Sequence, residues 1–210
     1  SATTHATVDI KQNSVIADAM FALKSVYGGI IKANNSEFRN NQYDLYFDKY
    51  KNYKHTKTVI RGNKFLTLDG GLNNPNYYPH AHIYMNQVDG ISIRSNTFRN
   101  ENMDADISKW GIGVESSLSG FTLSPRYLTI TDPVPVEPRD TFDNLYYGVK
   151  ASGKGTTAPS IKHNVFTNNF RGVYINNADG SRVLFNNFTG IYDRIYPWQV
   201  VFTRAINRPI

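Results

Sequence analysis

The chain is predicted to be an all-β solenoid of stacked three-sided coils, and three observations carry that expectation. First, the composition is strand-like. Asn fills 23 of the 210 positions, with 15 Gly, 14 Tyr and 12 Phe, whereas Glu stands only at positions 37, 101, 115 and 137. Asn, Gly and aromatic residues disfavour helices, and the scarcity of Glu removes a main helix former. Second, one short motif recurs: an apolar residue, two or so polar residues, Asn, any residue, then Phe. Third, successive motif phenylalanines are 27, 33, 44, 24 and 22 residues apart. The shortest interval is about what one turn of three short strands needs at roughly 3.3 Å per residue. The longer ones read as the same turn with inserted loops. Repeats that differ only by insertion indicate stacked units that share one core.

The strong copies are Ile60-Arg61-Gly62-Asn63-Lys64-Phe65, Ile93-Arg94-Ser95-Asn96-Thr97-Phe98, Ile161-Lys162-His163-Asn164-Val165-Phe166 and Leu184-Phe185-Asn186-Asn187-Phe188. Weaker copies, around Phe38 and Phe142, keep the Phe and lose the Asn. A second strand follows each, alternating with period two: Asp44-Leu45-Tyr46-Phe47, Gly111-Ile112-Gly113-Val114, Tyr147-Gly148-Val149 and Gly172-Val173-Tyr174-Ile175. The Phe rings are expected to face inward and stack coil on coil. The Asn residues are expected at corners, where a carboxamide satisfies turn backbone and a left-handed conformation is tolerated. The glycines of the second strands are assigned to another tight corner.

The pattern resembles the right-handed parallel β-helix of the pectate-lyase-like superfamily, and more narrowly the β-helix regions of large secreted Bacteroidetes-type surface proteins. The resemblance covers about Val15 to Phe202. It implies a right-handed parallel β-helix of about seven coils and a secreted or cell-surface, bacterial setting. The fold hosts lyases, hydrolases, adhesins and fibres, so it does not choose an activity.

Other classes are excluded by composition. Zero Cys removes disulfide scaffolds, thiolate zinc sites and Cys nucleophiles. No apolar run approaches the roughly 18 residues of a membrane span, so no membrane insertion is expected. The formal charge of +6 is mild. Apart from Lys49-Tyr50-Lys51-Asn52-Tyr53-Lys54-His55 the cations are scattered, so no nucleic-acid partner is expected. Residues 1–210 read as a single solenoid domain. Neither terminus looks like a cap, so flanking coils or other domains of the same polypeptide are expected as neighbours.

Function is sought where loops are inserted. Segments 69–80 and 100–110 both leave the corner that follows a motif Phe, so they should lie one above the other. They supply Tyr77, Tyr78, His80, His82 and Trp110 as candidate ligand-binding residues. Aromatic rings beside amides and carboxylates suit sugar rings, with their apolar face and hydroxyl rim. His80 and His82, two apart on a strand, are expected to share a face. Asp104, Asp106 and Asp69 are the weak catalytic candidates, compatible with an acid/base pair or a Ca²⁺ site; no cofactor is otherwise expected. Polygalacturonase-like signatures and the pectate-lyase Arg-x-Pro-x-x-Arg pattern are absent. Arg61, Arg94 and Lys162 are read as an outward basic row. Segment 124–140, with four prolines, is read as a stiff extended excursion. The expected role is a non-catalytic scaffold or adhesin-like module binding a glycan or a cell-surface protein. The alternative is a polysaccharide lyase or glycoside hydrolase acting on an acidic polysaccharide.

Overall fold

A computed structural model describes residues 6–49, 58–68, 78–102, 106–126, 137–190 and 200–203. Among these residues the chain forms 21 strands, β1–β21 in chain order, and one 3-10 turn at Ile107–Lys109. They assemble as three parallel sheets of seven strands. Sheet A takes β1 (Thr7–Ile10), β4 (Ile30–Asn34), β7 (Val59–Arg61), β10 (Asp89–Arg94), β13 (Gly120–Leu123), β16 (Ser160–Lys162) and β19 (Arg182–Leu184). Sheet B takes β2 (Val15–Ala17), β5 (Glu37–Arg39), β8 (Lys64–Thr67), β11 (Thr97–Asn100), β14 (Thr141–Asp143), β17 (Val165–Thr167) and β20 (Asn187–Thr189). Sheet C takes β3 (Phe21–Ser25), β6 (Tyr43–Phe47), β9 (Ala81–Asn86), β12 (Ile112–Ser117), β15 (Tyr147–Ser152), β18 (Arg171–Asn176) and β21 (Val200–Thr203). Every third strand pairs, so the protein is a right-handed parallel β-helix of seven coils. No described helix is long and apolar enough to cross a membrane.

The core is a set of vertical columns. On sheet B, Phe38, Phe65, Phe98, Phe142, Phe166 and Phe188 are register partners in turn. Their rings stack with centroids 5.1, 4.8, 4.6, 4.7 and 4.9 Å apart, the spacing that parallel strands impose. Sheet A contributes Ala33, Ile60, Ile93, Leu123 and Ile161, and sheet C contributes Leu45, Ile83, Val114, Val149 and Val173, all buried.

Each coil turns through left-handed residues at its corners. At the A–B corner these are Asn13, Asn35, Gly62, Ser95, His163 and Phe185. The motif Asn follows this residue and points inward, so the left-handed duty falls one position earlier than expected. The Asn instead forms a ladder. The Asn63 backbone N–H donates to Asn96 Oδ1 at 3.0 Å, and the Asn63 amide donates to the Ala33 carbonyl below and to Asn96 Oδ1 above. Asn164 repeats the arrangement with Leu123 and Asn186.

The second-strand glycines also sit differently from expectation. Gly111 is at a corner with φ of 80°, but Gly113 and Gly148 lie within β12 and β15. A Cβ on Gly148 would stand 2.6 Å from both the Gly172 carbonyl oxygen and Phe166 Cδ1. The glycine lets a Phe ring pack flat on backbone. Gly148→Ala is therefore expected to cost about 1–3 kcal/mol through overpacking, read as a lower urea midpoint.

The Pro-rich segment between β13 and β14, read as a stiff extended excursion, lies outside the described residues from 127 to 136. Glu137, buried at its end, contacts Arg61 Nε at 3.2 Å and Arg94 Nε at 3.5 Å. Arg61 and Arg94 are register partners, as the repeat implies. They are clamped by an acid rather than forming a free basic row.

Candidate functional site

Between β8 and β9, and between β11 and β12, the chain passes from sheet B to sheet C through inserted loops. The ends of these loops pack together, since a Cβ on Gly111 would lie 3.3 Å from Pro79. The described ends of both loops, at Pro79 and Gly111, therefore lie at the start of the sheet C strands. On the outer face of sheet C, period two sets which side chains emerge. The residue after each inward aliphatic points out, giving the register column Lys24, Tyr46, Tyr84, Glu115, Lys150 and Tyr174. A parallel column runs Phe21, Tyr43, Ala81, Ile112, Tyr147 and Arg171.

These columns make an aromatic band on the outer side of sheet C, in which Ala81, Ile112 and Tyr147 are buried and Tyr43, Tyr84, Tyr146 and Tyr174 pack over them. Tyr46 and Tyr84 stack at 4.8 Å, Phe21 and Tyr43 at 5.2 Å, and Tyr43 meets Tyr46 edge-on at 5.3 Å. Higher up, Tyr147 meets Tyr146 edge-on at 4.5 Å, and Tyr146 stacks on Phe170 at 5.1 Å. Cations lie on the rings at both ends. Lys24 Nζ is 4.8 Å from the Phe21 centroid. The Arg171 guanidinium lies 5.4–5.7 Å from the Phe170, Tyr147 and Tyr174 centroids, while donating to the Tyr147 hydroxyl at 2.9 Å. Such contacts hold a charge in place without neutralising it.

The centre of the band is ionic. Glu115 Oε2 is 2.8 Å from His80 Nε2, and Lys150 Nζ donates to Glu115 Oε1 at 2.7 Å. Burial would raise the Glu115 carboxyl, but the hydrogen bonds from His80 and Lys150 outweigh it and hold the group below the usual carboxylate range. The neighbouring phenols move the other way. Burial, aided by the Glu115 charge, raises Tyr43 and Tyr84, so both keep their hydroxyl protons. The face thus offers phenol hydroxyls, one fixed carboxylate, an imidazole and ammonium and guanidinium groups, all set on apolar rings.

The residues chosen from sequence divide around this face. His80 belongs to it: its ring also packs 5.0 Å from Tyr43. Tyr78 stands nearby in sequence and is 48% exposed. His82 does not share the face of His80. It is 3% exposed and turned inward, with Nδ1 2.6 Å from Asp44 Oδ2. The cause is a break in alternation that recurs along sheet C, where two consecutive residues turn inward: Asp44 and Leu45, His82 and Ile83, Gly113 and Val114, Gly148 and Val149. Trp110 is 1% exposed, so its ring packs within the protein and offers no open face to a ligand. Asp106 is exposed and caps the 3-10 turn, accepting from the Ser108 N–H and hydroxyl. Those bonds lower its carboxyl from the ordinary value. Asp69, Tyr77 and Asp104 lie outside the described residues. Among the described residues no group of three or more His, Asp or Glu side chains converges as a metal site.

Glu115, Lys150, Tyr46 and Tyr84 were missed by reasoning from the inserted loops. Their signal was present: aligned on Leu45, Ile83, Val114, Val149 and Val173, the following positions read Tyr, Tyr, Glu, Lys, Tyr. No family model, curated protein or solved structure matches the chain.

Proposed function

We propose that the outer face of sheet C binds a glycan chain, and that the protein is a non-catalytic, adhesin-like β-helix module. The carrying observation is the aromatic band itself. It crosses six consecutive coils from Lys24 to Arg171, about 24 Å at the inter-strand spacing. An extended polymer lying along the solenoid axis matches that length. Sugar rings supply C–H faces for the aromatic edges and hydroxyls for the Tyr tips and Glu115. Lys24 and Arg171, held on rings, favour anionic groups on the chain. The resemblance to pectate-lyase-like β-helices and to secreted bacterial surface proteins supports a secreted or cell-surface setting.

The test is a glycan array followed by calorimetry on the hits, with neutral, uronate-bearing and sulfated polymers. Tyr46→Ala together with Tyr84→Ala is expected to weaken binding about tenfold or more, equal to about 1.4 kcal/mol or above. Unchanged affinity in this variant, or no glycan bound by the wild type, would sink the proposal.

A second reading, a lyase acting on an acidic polysaccharide, is favoured by one observation. Glu115 faces the His80 imidazole and accepts from the Lys150 ammonium on one face of the sheet; a neutral imidazole is a base suited to proton abstraction, and the ammonium suits an anionic substrate. Hydrolysis needs two facing carboxylates, whereas the partners of Glu115 are an imidazole and an ammonium. Appearance of unsaturated, ultraviolet-absorbing product from uronate polymers, lost in His80→Ala, would establish this reading over the first.

A further inference from the structure

The Asn ladder carries one acidic rung. At the position held elsewhere by Asn63, Asn96, Asn164 and Asn186 stands Asp140, 0% exposed. Its Oδ1 does what an Asn carbonyl does, accepting from the Asn96 backbone N–H at 2.8 Å and the Asn96 amide at 3.0 Å. Its Oδ2 stands where the other rungs carry an amide nitrogen. That nitrogen donates to the Oδ1 of the rung above and to a sheet A carbonyl of the coil below, as Asn96 does to Asp140 and to the Ile60 carbonyl. The corresponding acceptors for residue 140 are Asn164 Oδ1 and the Ile93 carbonyl. Asp140 Oδ2 and Asn164 Oδ1 are both buried without a hydrogen-bond partner. Two facing acceptors with no hydrogen between them are a costly arrangement, and a single proton on Oδ2 resolves both vacancies.

We infer that Asp140 is a neutral carboxylic acid that donates upward to the Asn164 carbonyl, making this corner a proton-dependent joint in the solenoid. Burial drives the same outcome, raising the carboxyl from 3.8 to about 7 against the hydrogen bonds from Asn96. The groups around it are Arg94, Ser95 and Asn96 from the coil below, Lys162, His163 and Asn164 from the coil above, and Glu137 and Arg139 on its own segment. Arg94 is engaged by Glu137. The His163 ring titrates below its ordinary value, lowered by burial and by Arg139 and Lys162. It therefore acts on the acid side of the Asp140 transition.

The sign follows from linkage. The folded-state value lies above the unfolded one, so the contribution of Asp140 is full below about pH 4. It declines as the pH rises and is lost above about pH 7. The folding equilibrium constant falls over that window by up to about a thousandfold. The joint sits three residues after the Glu137 clamp, so ionisation loosens the corner next to that clamp.

The test has two arms. The carbon-13 shift of the Asp140 carboxyl, followed from about pH 5 to about pH 9, is expected to titrate near neutrality. Asp140→Asn, which restores the missing donor, is expected to raise the melting temperature at alkaline pH and to flatten its decline with pH. His163→Ala is expected to keep that decline. A carboxyl already ionised at about pH 5, or an Asp140→Asn protein as alkali-sensitive as the wild type, overturns the inference. If Asp140→Asn does not fold, the carboxyl titration of the wild type decides alone.

Discussion

Replacing Phe142 by alanine is expected to lower the stability of the protein by about 3–5 kcal/mol. The ring is fully buried at the middle of its column, stacked on Phe98 at 4.6 Å and Phe166 at 4.7 Å. Truncation removes the transfer energy of the ring and two stacking contacts worth about 0.5–1.5 kcal/mol each. The hole cannot collapse, because the coils above and below are fixed by sheet hydrogen bonds on all three sides. Phe188, half-buried on the seventh coil, has one stacking partner within the column, so Phe188→Ala is expected to cost distinctly less. Urea denaturation of the two variants checks the order. Equal losses would mean that the column is not a continuous core.

Asp44→Ala is expected to cost about 3 kcal/mol, for a different reason. Asp44 accepts from the Asn41 amide at 2.7 Å and meets His82 Nδ1 at 2.6 Å, deep beside Phe65 and Phe98. Burial raises its carboxyl even though His82 and Asn41 pull it down. His82 Nε2 has no partner, so losing Asp44 leaves both ring nitrogens of a buried imidazole unsatisfied. The register explains why the pair is there at all. Asp44 and His82 occupy the column that continues upward as Gly113, Gly148 and Gly172. In the upper coils Phe rings fill that space, and lower down the pair does. Asp44→Ala combined with His82→Ala is therefore expected to cost less than the sum of the single changes, with a coupling of about 1–3 kcal/mol in a denaturation cycle. Strict additivity would show that the two side chains do not support each other.

Much of the architecture was legible because its determinants repeat. A Phe recurring with an Asn two positions earlier fixes an inward column and a corner together, and both are found. What was not legible arises where the repeat is broken. The inward turn of His82 depends on a break in alternation that recurs along sheet C, which strict period-two reasoning cannot see. Trp110 ends a loop whose length says nothing about where its last ring packs. The Asn corners were placed one residue off, because the carboxamide serves the ladder and its predecessor takes the strained backbone. The binding face went unread for another reason. Attention to inserted loops favours residues rich in chemistry, whereas Tyr46, Tyr84, Glu115 and Lys150 are ordinary outward strand positions that become a site only when six coils are superposed.

Because each strand pairs only with strands of the adjoining coils, the length of the aromatic face follows the number of consecutive coils that carry outward rings. Duplicating a single turn of the chain would lengthen the face by one rung while keeping the strand pairing of the other rungs. Deleting one would shorten it by the same step. The length of this face is thus a discrete trait, adjustable by gene-scale insertions of some two dozen codons.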